Sequence, residues 1–311
     1  MSAILVTLAF LVGGLLAVQG GANVQLSTAV RNPLGAATLQ LGIAATALIL
    51  LAAALGTLGA IGRLDDVASW HLIGGLASAM YITAGIVLFP RLGALVSVAL
   101  FVAGQMIASV VLDGFGLLGL SRAPVSTATV VGALAVLAGM TVILTSSRQA
   151  SAPPGGRATA ARPLLAAFGL LAGAGLPVQA AVNAHLRTDL DAPFTAAAIS
   201  FIVATAAVLV ILAVAFAGRA APPCLAGLRG LPWWGWLGGL VGASYVTVSL
   251  LAVPEIGAAP TIALSVAGQQ LASSLVDHAG LLRLPRRPLT LGRIAGVVVL
   301  LSGAVLLQLT R

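Results

Sequence analysis

The sequence predicts an all-α, polytopic membrane protein of ten transmembrane helices, arranged as two inverted five-helix repeats. Three observations carry this expectation. Its 311 residues are 60% hydrophobic and only 7% charged, where soluble domains carry ~25% charged residues. Between the charges lie apolar stretches of the ~20 residues that cross a ~30 Å hydrocarbon core. The second half of the chain also repeats the first.

Composition alone removes several classes of function. A mean hydropathy of +1.13 excludes a soluble enzyme, a nucleic-acid module and a secreted disulfide scaffold. The net charge of +8 comes from fifteen cations, all arginine, set between apolar stretches. Such cations mark topology beside anionic head groups and are no nucleic-acid signature. A single cysteine, Cys224, permits no internal disulfide and no metal cluster. No metal or cofactor is expected.

Charge gaps place the helices, because a charge at the bilayer centre costs ~2.5–3.5 kcal/mol on insertion scales. The first runs from Met1 to Val30, long enough to tilt with Gln19, Asn23 and Gln25 inside it. It has no basic lead-in and its counterpart recurs in mid-chain, so it reads as a retained helix and not a signal peptide. The next four span about Pro33 to Ile61, Trp70 to Phe89, Leu92 to Leu112 and Ser126 to Thr145. Residues 147–162, with Pro153, Pro154, Gly155 and Gly156, have the composition of a solvated linker. Five more helices follow, at about Pro163 to Leu186, Pro193 to Ala217, Trp233 to Val253, Ile256 to Val276 and Leu289 to Leu309. The chain thus divides into a first repeat, 1–146, the linker, 147–162, and a second repeat, 163–311.

Eleven arginines, Arg31, Arg91, Arg148, Arg157, Arg162, Arg219, Arg229, Arg283, Arg286, Arg287 and Arg293, fall on one face; Arg63, Arg122, Arg187 and Arg311 fall on the other. The positive-inside rule puts the first set in the cytoplasm and both termini outside.

The repeat is explicit. Gln19 and Asn23 recur 160 residues later as Gln179 and Asn183, and Pro33 as Pro193. Beyond Trp70 the offset becomes 164: Trp70, Gly74, Gly75 and Tyr81 match Trp234, Gly238, Gly239 and Tyr245. Gly104, Gln105, Ser109, Asp113, Gly132 and Gly139 match Gly268, Gln269, Ser273, Asp277, Gly296 and Gly303. Five crossings per copy is an odd number, so the second copy enters from the opposite side. Inverted repeats of this kind are found in secondary transporters, which expose a midplane site to each side in turn.

The run Gly268-Gln269, Ser273, Asp277-His278, Gly280, Pro285-Arg286-Arg287-Pro288, Arg293, Gly296 and Gly303 resembles the closing signature of the YdcZ-like family of the drug/metabolite transporter superfamily. Gln19-Gly-Gly-Ala-Asn23 is similar to its opening one. Since family members are usually single five-helix units working in pairs, the chain resembles two such units fused. The resemblance implies a transport protein of the bacterial inner membrane. The first half departs from the pattern at Gly114, Ser121 and Thr129, and the second has His185 where the first has Gln25.

Gln105, Ser109 and Asp113 are spaced to share one helix face, as are Gln269, Ser273 and Asp277. With Gln19, Asn23, Gln179 and Asn183 these glutamines and serines are the candidate substrate-binding groups. Interhelical hydrogen bonding, worth ~0.6–2 kcal/mol each, is the other use for such residues. Asp113 and Asp277 end their helices, where a carboxylate opposes the macrodipole. They are the candidate coupling groups, with Arg122 and Arg286 as partners. His71, His185 and His278 share no metal-ligand spacing and read as interface residues.

The superfamily's small multidrug transporters use a glutamate in the first helix, whereas no acid occurs before Asp65 here. Neutral or zwitterionic cargo is therefore expected. The function so read is a secondary transporter that moves a small metabolite or drug-like molecule by alternating access without ATP, since no phosphate-binding loop exists. A non-transporting scaffold or regulatory subunit is the alternative; no enzyme is expected. The partners are the lipid bilayer and a small-molecule substrate, with no nucleic acid. The fused halves can act as a monomer or pair further as a homodimer. A transporter should hold a polar cavity at mid-depth, touched by both halves.

Overall fold

The computed structural model describes residues 2–119, 122, 126–151, 161–218, 221–256 and 258–309. Among them stand ten long helices: α1 (Ser2–Val30), α2 (Pro33–Ala54), α3 (Gly75–Leu92), α4 (Ala94–Phe115), α5 (Thr127–Ser151), α6 (Ala161–Leu190), α7 (Pro193–Ala217), α8 (Leu237–Ile256), α9 (Ala258–Ala279) and α10 (Leu291–Leu309). Seven helical stretches, those of α1 to α7, are long and apolar enough to cross a bilayer. The chain is an all-α polytopic membrane protein.

Helix ends follow local chemistry. Asn32 caps α2 by accepting the Gly35 N–H, and Pro33 supplies a first residue that needs no N–H partner. The sequence predicts α2 as far as Ile61, but it stops at Ala54 because Gly56 turns left-handed (φ +70°) and the Thr57 N–H closes on the Ala52 carbonyl. Trp70 and Trp233, expected to open membrane helices, lie instead in short 3₁₀ segments, Ser69–Gly74 and Trp233–Trp236, that lead into α3 and α8. At the other boundary, α5 continues to Ser151, into the segment read as linker. The Pro153–Gly156 stretch and Arg157 lie outside the described residues.

Repeat mates pack on each other, which makes the inversion visible. Gly132 of α5 lies against Gly303 of α10, and Gly139 against Gly296; Cβ atoms added at these four positions would stand 2.6–3.0 Å from the facing glycine oxygens. Gly132 and Gly296 are sequence counterparts, as are Gly139 and Gly303, so each contact is the image of the other about a two-fold axis. Register rises on one helix while it falls on the other, so the mates run antiparallel.

Elsewhere the halves interleave. α1 packs along α8 and α9, and α6 packs along the corresponding α3 and α4. Gly268 lies against the Phe10 carbonyl and Gly104 against its counterpart, Leu170. Small residues permit this approach, as is usual where helices meet in lipid. α4 is the most enclosed helix, its residues from Ala94 to Gly104 all buried.

Candidate functional site

The helix-one amides meet α8. Gln19 donates from Nε2 to the Gly238 carbonyl at 2.9 Å. One turn on, Asn23 is 2% exposed and its Oδ1 has no hydrogen-bond partner. Gln40 of α2 joins it, also buried, with Nε2 unpartnered. Both carbonyl oxygens press on Gly238, where no Cβ would fit.

The second repeat builds the image of this arrangement. Asn183 donates from Nδ2 to Ser200 Oγ at 3.1 Å, while its own Oδ1 is buried without a partner and presses on Gly74. Gln179 Oε1 accepts from Ser78 at 2.8 Å. Ser200 is the counterpart of Gln40, and Gly74 that of Gly238. An unpartnered buried acceptor costs ~1–3 kcal/mol, and here the same cost falls on both members of a repeated pair.

The α9 stripe is asymmetric. Gln269 Nε2 donates to the Tyr81 hydroxyl of α3 at 2.8 Å, and the Tyr81 ring lies 4.7 Å from that of Phe101. Ser273 Oγ donates back to the Gln270 carbonyl at 2.9 Å, within its own helix. Their counterparts on α4, Gln105 and Ser109, are only half-buried. The sequence missed Gln270, which is fully buried with Nε2 unpartnered. Its repeat position is Met106, so a search for paired polar residues passes over it.

At the arginine-rich face Asp277 is a structural hub. It accepts the Ala94 and Leu95 N–H groups at the start of α4, at 2.8 and 3.2 Å, and pairs with Arg293 at 2.8 Å. Gly93, at φ +94°, makes the sharp entry to α4 that leaves these N–H groups open. Arg293 itself is 2% exposed and also binds the carbonyls of Arg287 and Pro288. The expected partner was Arg286; it donates instead to the His278 carbonyl, as Arg122 does to that of Gly114. Arg293 wins because it projects from the first turn of α10, packed against the end of α9. Its repeat position is Thr129, so Asp113 has no arginine in the equivalent place.

The opposite face closes by other means. His71 Nδ1 bonds Asp189, and the His71 ring stacks on that of His185 at 4.8 Å. Trp70 meets both rings edge-on, at 4.0 and 5.1 Å. His185 Nε2 reaches the Leu118 carbonyl at 2.8 Å, the image of Gln25 donating to that of Leu282 at 3.0 Å. Two histidines read from sequence as separate interface residues thus form one cluster. Their spacing along the chain gives no hint of it, and among the described residues no cluster could hold a metal ion.

Two hollows flank this core. A lateral groove of about 510 Å³ lies between α2, α7 and α8, lined by Thr38, Gly42, Ile43, Thr46, Thr205 and Leu240. Its threonine hydroxyls bond back to their own helices, leaving the lining effectively apolar. A cleft of about 70 Å³ opens among Arg91, Ser147, Arg162 and Arg287. Neither is lined by any of the eight candidate binding residues, of which Gln19, Asn23, Gln179 and Gln269 have buried amides.

The family described as "Putative inner membrane exporter, YdcZ" matches the chain twice in tandem, over residues 4–142 and 164–306. No curated protein matches. A solved structure described as "Crystal structure of protein" is 19% identical, with a TM-score of 0.54, covering 98% of this chain and 95% of that one, a likeness of fold.

Proposed function

The chain belongs to the family described as "Putative inner membrane exporter, YdcZ", and from that membership and the site's geometry we propose that it is a secondary transporter exporting a small neutral or zwitterionic molecule by alternating access, without ATP. The observation that carries the proposal is the pair Asn23 and Asn183. Equivalent helices of both repeats hold buried amide oxygens without partners, each against a matched glycine. Such acceptors can bind a polar cargo once the surrounding helices part, and no carboxylate accompanies them to select a cation.

The two faces support a gating role. On the arginine face Gly20 of α1 lies directly against the Phe89 ring of α3. On the opposite face His71 bonds Asp189 and stacks on His185. Contacts of this kind at each face are what alternating access would have to open and re-form. The excess of arginines on one face supports a cytoplasmic position for that face, with both termini outside. The fused halves provide both members of each pair, so a single chain suffices.

Close packing of the amides favours the second reading, a scaffold. Export from proteoliposomes loaded with mixed metabolites separates the two. A transporter releases at least one compound, and Asn23→Ala with Asn183→Ala abolishes that release while leaving the protein folded. Retention of every compound by the intact protein, with no compound raising Tm, would leave the scaffold reading.

A further inference from the structure

We propose that the cleft on the arginine face is a binding site for a phosphate oxyanion, built by Arg91, Arg162, Arg287 and Ser147. Its volume, about 70 Å³, exceeds the ~10–15 Å³ that one water requires. The rest of its lining is apolar: Leu92, Val96, Leu144 and Ala166. Three arginines thus line one hollow with no carboxylate among the lining residues. Asp277, the acid that interacts with Arg287, is committed to Arg293 and to the first N–H groups of α4.

Hydrogen-bond accounting points the same way. Arg91 spends Nη1 on the Val87 carbonyl, and Arg287 spends Nη2 on the Pro90 and Arg91 carbonyls. These bonds hold two of the heads in place while leaving further N–H groups of each five-donor fork unspent. Arg162 makes no hydrogen bond or ion pair among the described residues. Ser147 Oγ is buried and unpartnered. Burial pushes the Arg287 guanidinium below its ordinary range; Asp277 opposes this, and Arg293 and Arg162 add to it. Unspent donors of three arginines and a buried serine hydroxyl thus surround one cleft. A tetrahedral oxyanion suits planar forks that form two bonds at a time.

The phosphate can arrive as an anionic lipid head group, since basic pockets between transmembrane helices recognise such lipids, or as a soluble anion. Arg91 stands on α3 and Ser147 on α5, the helix that continues out of the first repeat. Arg162 stands at the start of α6, which leads into the second repeat, and Arg287 precedes α10. An occupied site therefore ties both repeats together on this face.

The test uses the purified full chain in uncharged detergent at constant ionic strength, titrated with inorganic phosphate, dioctanoyl phosphatidylglycerol or dioctanoyl phosphatidylcholine, reading Tm and adduct mass. Saturable stabilisation by inorganic phosphate identifies a soluble anion as the source. Stabilisation by the glycerol lipid, but not by phosphate or the choline lipid, identifies a head group. In either case Arg162→Gln weakens binding ~10- to 100-fold, the effect of one charge-assisted contact. Arg63→Gln, exposed on the other face, leaves it unchanged. Should Arg162→Gln fold poorly, Ser147→Ala carries the same test with a smaller loss. No phosphate-specific stabilisation of the intact chain, or equal affinity in Arg162→Gln, Ser147→Ala and Arg63→Gln, overturns the proposal.

Discussion

Asp277 and Arg293 form a buried ion pair at 2.8 Å, and the same carboxylate caps the start of α4. One side chain of the second repeat therefore closes a helix of the first. Asp277→Asn should cost ~3–5 kcal/mol, because it leaves a buried guanidinium unpaired. Adding Arg293→Thr, which copies Thr129 of the other repeat, should recover much of the loss. Unfolding of the two single variants and the double one checks this as a thermodynamic cycle. Additive losses would mean that the pair is not coupled.

Space decides the sign of a glycine substitution. At Gly139 a Cβ would stand 2.4 Å or more from its neighbours but within 2.7 Å of Leu300 Cβ and the Gly296 carbonyl. Gly139→Ala should push α5 from α10 and cost ~1–3 kcal/mol. At Gly85 in α3 nothing lies within 4 Å. Gly85→Ala should be neutral or stabilise by up to ~1 kcal/mol, the helix-propensity gain. Thermal stability in detergent measures both.

Gln269 donates to Tyr81, whereas Gln105, its counterpart, is half-buried. Gln269→Leu should therefore impair export more than Gln105→Leu does. Tyr81→Phe should cost ~1–3 kcal/mol of stability by leaving the amide donor unsatisfied. Export from proteoliposomes, compared with Tm, separates the two effects. Equal export by the two leucine variants would restore the symmetric stripe that the spacing suggests.

The elements legible in sequence were those that repetition or apolar length reports. The helices, their inversion and the paired amides Asn23 and Asn183 all follow from the offsets between copies. What repetition cannot report is a group present in only one copy. Gln270 sits opposite Met106, Arg293 opposite Thr129, and His71 opposite Gly235, so a search for matched pairs gives none of the three its role. The choice of Arg293 over Arg286 as the partner of Asp277 depends on how α10 packs against the end of α9, a tertiary fact absent from chain spacing. Likewise α2 ends early because one glycine, Gly56, goes left-handed within an apolar run that could have continued as helix.

Disabling the His71–Asp189 bond should tell gating from simple destabilisation. Asp189 is 31% exposed, and pairs of that kind are worth at most ~1 kcal/mol. Asp189→Asn should then shift a two-state equilibrium by no more than about fivefold. If the faces alternate, hydrogen exchange should speed up in the Ser69–Gly74 segment and the last turn of α6, and slow where α1 meets α3 around Phe89. A protein that merely loosens would exchange faster at both faces. The opposite signs follow from alternation itself, in which contacts at one face close as those at the other part. Exchange that rises together on both faces would therefore remove alternating access while leaving the inverted fold intact.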